Sequence, residues 1–203
     1  MNKSTLLLAA SLLPLLSACN ALAPKTPDAT AASVPQAAWV VEARQVAGSV
    51  PPKLLAVLSA EIQKGGPAHA IDVCQVEAPK MARAASEASG WQIRRVSLGN
   101  RNPKAVPDAW ERATLQEFDR QQVAGADVSK LERAEIVTEN GKQVKRYMRA
   151  LPVQAACLQC HGQADKLGPG VAARLNELYP QDKGTGYLLG QIRGAMTLRQ
   201  NVQ

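Results

Sequence analysis

Aromatic residues are what this chain has least of: 3% of 203 residues, with Phe118 the only phenylalanine. Aromatic rings normally supply much of a core's bulk, so something else must fill this interior. Abundant alanine points to closely packed helices. The same shortage removes the stacking platforms on which proteins hold single-stranded nucleic acid. Histidine is scarcer still, and His69 and His161 are the only imidazoles. A basic block is missing as well. The formal charge is +7, but Arg94, Arg95, Arg101, Lys104, Lys142, Lys145, Arg146 and Arg149 are scattered. That is not the footprint of a nucleic-acid patch, and no nucleic-acid partner is expected. The remaining composition, 46% hydrophobic and 20% charged, is that of a globular domain.

The long apolar run is confined to the N-terminus. In "MNKSTLLLAASLLPLLSAC", Lys3 precedes an apolar stretch from Leu6 to Leu16 that is too short to span a bilayer comfortably. It reads as an export signal. The run ends in Leu16-Ser17-Ala18-Cys19, which resembles a bacterial lipobox, where the cysteine is diacylated and becomes the mature N-terminus. Cys19 is therefore the expected lipidation site, residues 1–18 the signal peptide and the membrane a partner through the lipid anchor. An ordinary secretory peptide with an incidental cysteine is the rival. Asn20 rather than Asp follows, so nothing marks the chain for inner-membrane retention. The expected location is the bacterial periplasm, with the outer membrane favoured as the anchoring surface. Residues 19–36 are Ala/Pro/Thr-rich and read as a lipidated N-terminus and flexible tether, leaving 37–203 as the folded domain.

From Trp39 the pattern turns helical, with a stop and restart expected at Pro51-Pro52. Leu54, Leu55, Leu58 and Ile62 share one face, and Gly65-Gly66 ends that helix. The next segment, 67–89, places Ile71, Cys74, Ala78 and Met81 in one apolar stripe. A kink is expected at Pro79, which cannot donate to the Gln75 carbonyl. "WQIRRVSL" alternates as a strand. Asp108 and Glu111 form a capping box at the head of a helix. Asn140-Gly141 joins two alternating runs into a hairpin. A short helical segment at 157–161, a helix "GVAARLNELYP" and a last strand in "GYLLGQIRGAMTL" complete an α+β domain with an antiparallel sheet.

The chemistry lies in "CLQCHG". Cys157, Cys160 and His161 have the Cys-x-x-Cys-His spacing of covalent c-type haem attachment. Two thiols at that spacing reach both haem vinyls as thioethers, and the adjacent imidazole supplies an axial nitrogen to iron. A zinc centre could instead take Cys157, Cys160, His161 and Cys74, and a redox pair could take Cys157 and Cys160 alone. The redox reading lacks a thioredoxin-like strand–helix context, and the adjacent histidine sits awkwardly for zinc. Export to the compartment where c-type haem is attached decides for one covalent haem c, whose large planar body also explains the aromatic-poor core. Of Arg94, Arg95 and Arg101, one or two would pair with the propionates. Alternation keeps Arg94 and Arg95 from both facing the pocket, and Arg95 and Arg101 are the candidates. Met148, in the hairpin strand beside the haem segment, is a thioether candidate for the distal side. His69 lies five residues before Cys74, a rotation of about 140° on a helix, and is expected at the surface.

Five blocks in order carry a resemblance: "AIDVC" with "AP" shortly after, "RRVSLGNRNPKAVPDAWE", "RYMRAL", "CLQCHG" and "YPQDKGTGYLLGQIRGAM". Together they resemble the single-haem c-type proteins with a PAS-like sensory fold, a family first described in a cyanobacterium. The resemblance runs from about Trp39 to Leu198. It implies a PAS-like antiparallel sheet flanked by helices, and it makes Cys74 the second axial ligand opposite His161. A thiolate ligand stabilises ferric iron and lowers the reduction potential. The expectation is therefore a redox or small-gas sensor in which reduction or protonation of Cys74 frees a coordination position, signalling through a separate protein. Electron transfer to a periplasmic redox partner is the alternative. An enzyme is not expected, because only His69 would remain as an imidazole for acid–base work.

Overall fold

The computed structural model describes residues 37–202. The signal peptide, Cys19 and the tether lie outside the described residues. Helix α1 (Ala38–Ser89) leads into strand β1 (Gln92–Val96), helix α2 (Ala109–Val123), the hairpin β2 (Glu132–Glu139) and β3 (Lys142–Pro152), the short helix α3 (Leu158–His161), helix α4 (Val171–Leu178) and strand β4 (Ile192–Asn201). The strands form one antiparallel sheet in the order β1-β4-β3-β2, an α+β architecture.

Local chemistry explains the boundaries. Asp108 accepts from the Glu111 amide and Glu111 reaches back to the Asp108 amide, so the expected capping box opens α2. Asn140 and Gly141 take φ of 52° and 75°, as the tight hairpin turn requires. Two expectations for α1 fail. Its helical dihedrals run through both Pro51-Pro52 and Pro79, and Gly66, at φ 81°, is the one non-helical residue inside it. A single glycine in the left-handed region thus breaks the helix. Pro67 then opens the second half in the first turn, where proline loses nothing. Pro79 removes one hydrogen bond without altering the path. The last strand also begins later than its sequence pattern, at Ile192, because 184–190 runs as a loop beside α3.

The sheet separates two cores. On one face Val40, Ala43, Ala47 and Val50 of α1 pack on Ile93, Tyr147, Met196 and Leu198. Glu132 fastens this layer, accepting from Arg44 Nε at 2.8 Å and from the Tyr147 hydroxyl at 2.6 Å. On the other face Leu115 and Phe118 of α2 cover Val96, Met148, Ala150 and Ala195. A third cluster, Ile71 with Val171 and Leu175, joins the second half of α1 to α4, and Cys160 packs against it.

Candidate functional site

The site lies where the second half of α1, the face of the sheet that α1 covers and the segment 157–161 meet. Cys157 closes a 3₁₀ turn from Ala155, and α3 continues it through Cys160 and His161. The motif is therefore one short helical stretch whose three functional side chains are partly buried. The loop that follows α4 holds it in place. Tyr187 N donates to the His161 carbonyl at 2.9 Å and Gly186 N to the Gly162 carbonyl at 2.8 Å. Arg101 clamps the same segment: Nη2 donates to the Cys160 carbonyl at 2.6 Å and Nε to Asp182 at 3.1 Å.

The His161 ring is set by two opposed contacts. Nδ1 lies 2.7 Å from the Gly184 carbonyl and 3.1 Å from Arg193 Nε. The carbonyl can only accept and the guanidinium can only donate, so each contact requires a different state of Nδ1. The shorter one places the proton on Nδ1 and leaves Nε2 with a free lone pair, the state of a metal-binding histidine. Burial, followed by the charges of Arg193, Arg101 and Arg95, holds the imidazole well below its ordinary pKa, so it is neutral. Burial and the neighbouring Arg95 also pull Arg193 down to about 9, which leaves it a cation at neutral pH.

Cys74 approaches from α1, within electrostatic range of Cys160 and Arg95. Burial and then Cys160 raise its thiol pKa, while Arg95 opposes them. The helix face that carries Cys74 is packed at both ends, with Ile71 in the third cluster and Ala85 against the first. Cys74, Ala78 and Met81 between them are only partly buried. The first half of α1 repeats the pattern. Its sheet-packed stripe continues at helical spacing into Leu54 and Leu58, which are again only partly covered. Two apolar stretches of α1 are therefore only partly covered by the described residues, and the one that carries Cys74 lies near Cys160.

The remaining candidates divide. Arg95 pairs with Met196 on the face that α1 covers, and it makes no hydrogen bond or ion pair with any described residue. Arg94 points to the other face, where it pairs with Glu111. Met148 is not at the site. It pairs with Thr197, which pairs with Arg94, and lies fully buried beneath α2. Adjacent strand residues point to opposite faces, so Met148 cannot share the face of Arg95. His69 is exposed and contacts Glu61 at 3.0 Å. Among the described residues no three His, Cys, Asp or Glu side chains converge as a metal cage, the arrangement a Cys₃His zinc centre needs. A cavity of about 470 Å³ lined by Arg94, Trp110, Arg146 and Arg199 lies on the α2 face and includes none of the motif residues.

Arg193 and Gly184 contact the His161 ring and were not among the sequence candidates. The available signal was a lone arginine in the otherwise apolar run "IRGAM" of β4, every residue of which is buried.

Comparison with known proteins agrees with the fold. The structure described as "Crystal structure of the cyanobacterial heme-protein Tll0287" is 26% identical, with a TM-score of 0.57, and the match covers 81% of this chain and 93% of that one. No curated protein matches. A family described as Tll0287-like matches residues 22–201, nearly the whole PAS-like domain and part of the segment before it. The chain belongs to the Tll0287-like family.

Proposed function

We propose that this chain is an exported, lipid-anchored haem protein that works as a redox or small-gas sensor. One haem would be attached through Cys157 and Cys160, with His161 Nε2 and Cys74 Sγ as axial ligands. The observation that carries the reading is the His161 ring. Its Nδ1 is held by a carbonyl, Nε2 is left free, and two thiols precede it on the same short helical stretch. Two further features fit a large apolar group bearing carboxylates. The faces of α1 around Cys74 and around Leu58 are only partly covered by the described residues, and Arg95, near Cys74, forms no ion pair with any described residue.

Bound there, haem supplies a one-electron Fe(III)/Fe(II) couple and, when an axial position opens, an iron able to take a small gas. The protein's own groups set the terms. Gly184 fixes the tautomer and direction of His161 and Arg101 fixes the backbone of Cys160, while Arg95 would neutralise a propionate. Cys74, as an anionic ligand, would favour ferric iron, and reduction by one electron from a periplasmic redox partner would weaken its hold, which in this reading is the sensing event. His69 is engaged with Glu61 at the surface, so the reading assigns the chain no enzymatic role.

Spectroscopy tests the assignment. A pyridine haemochrome of c type is expected from wild-type protein, absent in Cys157→Ser/Cys160→Ser. An unchanged ferric spectrum in Cys74→Ala would remove Cys74 from the iron. CO binding to the ferrous wild-type protein supports sensing. Low-spin iron in both oxidation states, with no CO binding, supports the electron-transfer alternative. Fatty-acid labelling that persists in Cys19→Ala would sink the lipid anchor.

A further inference from the structure

Arg193 is 5% exposed and has no acidic partner among the described residues. Its Nη1 donates to Ser97 Oγ at 2.8 Å and to the Gly99 carbonyl at 2.9 Å, and its guanidinium lies 5.1 Å from the Tyr187 ring centre. Asp182, the nearby carboxylate, is engaged by Arg101 instead. The remaining contact is Nε, 3.1 Å from His161 Nδ1.

We propose that Arg193 is a positioning residue for the axial histidine: its guanidinium, fixed on Ser97 and Gly99, packs against the Nδ1 edge of the His161 ring and limits where that ring can turn, and its positive charge raises the reduction potential of the iron that His161 would ligate. The proposal rests on the haem reading above. Ligation through Nε2 requires the proton on Nδ1, where it is donated to Gly184 at 2.7 Å. Nδ1 then has no lone pair for Arg193 Nε, so the contact is one of packing, and the guanidinium keeps its charge beside the ring, offset only in part by Asp182, which Arg101 already holds. A fixed cation in the poorly polarisable interior disfavours the oxidised, more positive iron. Its sign opposes that of the Cys74 thiolate, so Arg193 offsets part of the lowering that the thiolate produces. A lysine could keep the charge but not the planar fork that Ser97 and Gly99 fix beside the ring.

Haem-loaded wild-type, Arg193→Met and Arg193→Lys proteins test this by spectroelectrochemical titration and ferric electron paramagnetic resonance. Haem content is measured first, because a wild-type chain without haem defeats the functional reading rather than the role of Arg193. In Arg193→Met the ferrous-to-ferric ratio at a fixed potential is expected to fall about tenfold, equivalent to about 59 mV for one electron. Arg193→Lys is expected to keep its potential near wild type while its ferric g-values change, because the ring loses the rigid group packed against its Nδ1 edge. A wild-type potential in Arg193→Met overturns the proposal. So do wild-type g-values in Arg193→Lys, the arm that decides if the methionine variant fails to accumulate.

Discussion

Arg146→Met is the most demanding test of how the α2 side of the fold is held. Arg146 is 4% exposed, donates Nη1 to Glu139 at 2.5 Å and Nη2 to Asp108 at 2.7 Å, and lies 3.4 Å from Glu111. Its guanidinium sits 4.7 Å from the Trp110 ring centre. Methionine keeps much of the apolar stem but takes a shared cation from three carboxylates, leaving Glu111 with Arg94 and Glu139 with Arg199. Removing one member of a buried ion pair costs about 3–5 kcal/mol. Here only Glu111 is fully buried, whereas Asp108 and Glu139 side chains are 44% and 25% exposed and recover water. The loss should therefore lie at the lower end, about 3 kcal/mol, or a fall in Tm of roughly 6–12 °C for a domain of this size. The sign of the pH dependence follows from Asp108. Burial raises its pKa, but the Glu111 amide and Arg146 outweigh burial and hold it below its ordinary value. A carboxylate held low stabilises the fold above its unfolded pKa, about 3.9, and loses that contribution as pH falls through the folded value. Urea unfolding followed by circular dichroism should show the full gap at neutral pH and a narrowing below about pH 4. A gap under about 1 kcal/mol at neutral pH, or one indifferent to acid, refutes the reasoning.

Two further substitutions probe the site itself. Arg95→Leu should change sign with haem. In the haem-free Cys157→Ser/Cys160→Ser background it removes an unpartnered cation that burial disfavours and stabilises the chain by about 1 kcal/mol; in the loaded protein it removes the propionate partner and destabilises. Urea midpoints of the two pairs decide, and equal signs would count against a propionate at Arg95. Gly184→Ala would set a Cβ 2.5 Å from Arg193 Nη2 and 2.9 Å from Asp182 Oδ1. Arg193 and Asp182 must give way or the loop must shift, and because both side chains are held in hydrogen bonds either response disturbs the surroundings of His161, at about 1–3 kcal/mol. Its ferric spectrum and thermal melt should both move, and a variant matching wild type in both would show that the loop tolerates a side chain there.

How much of this was legible in sequence depends on the range of the forces involved. The capping box at Asp108 and the Asn140-Gly141 turn are contacts over three residues, and both stand where the pattern placed them. The prolines of α1 misled because proline's local cost is a prior that packing can override. Val50, just before Pro51-Pro52, is buried in the first core, and Ile71 and Ala85 are packed on either side of Pro79, so each half of α1 stays helical across its prolines with the help of tertiary contacts. Met148 misled for the opposite reason. Its closeness to the motif in sequence said nothing about which face of β3 it occupies, and that is settled by a cross-strand register running through β4 to β1. The same register explains why Arg95 could be favoured over Arg94 only as one of an alternating pair: the strand sets the alternation, but the helices decide which face receives which cargo. Arg193 lay furthest from reach. Its surroundings come from the turn after β1 and the loop after α4, and Ser97 is 96 residues from it along the chain. A short motif can specify the nucleophiles and the ligand of such a site. The charges that would tune it are supplied by the fold, so they can be read only once the strands are paired.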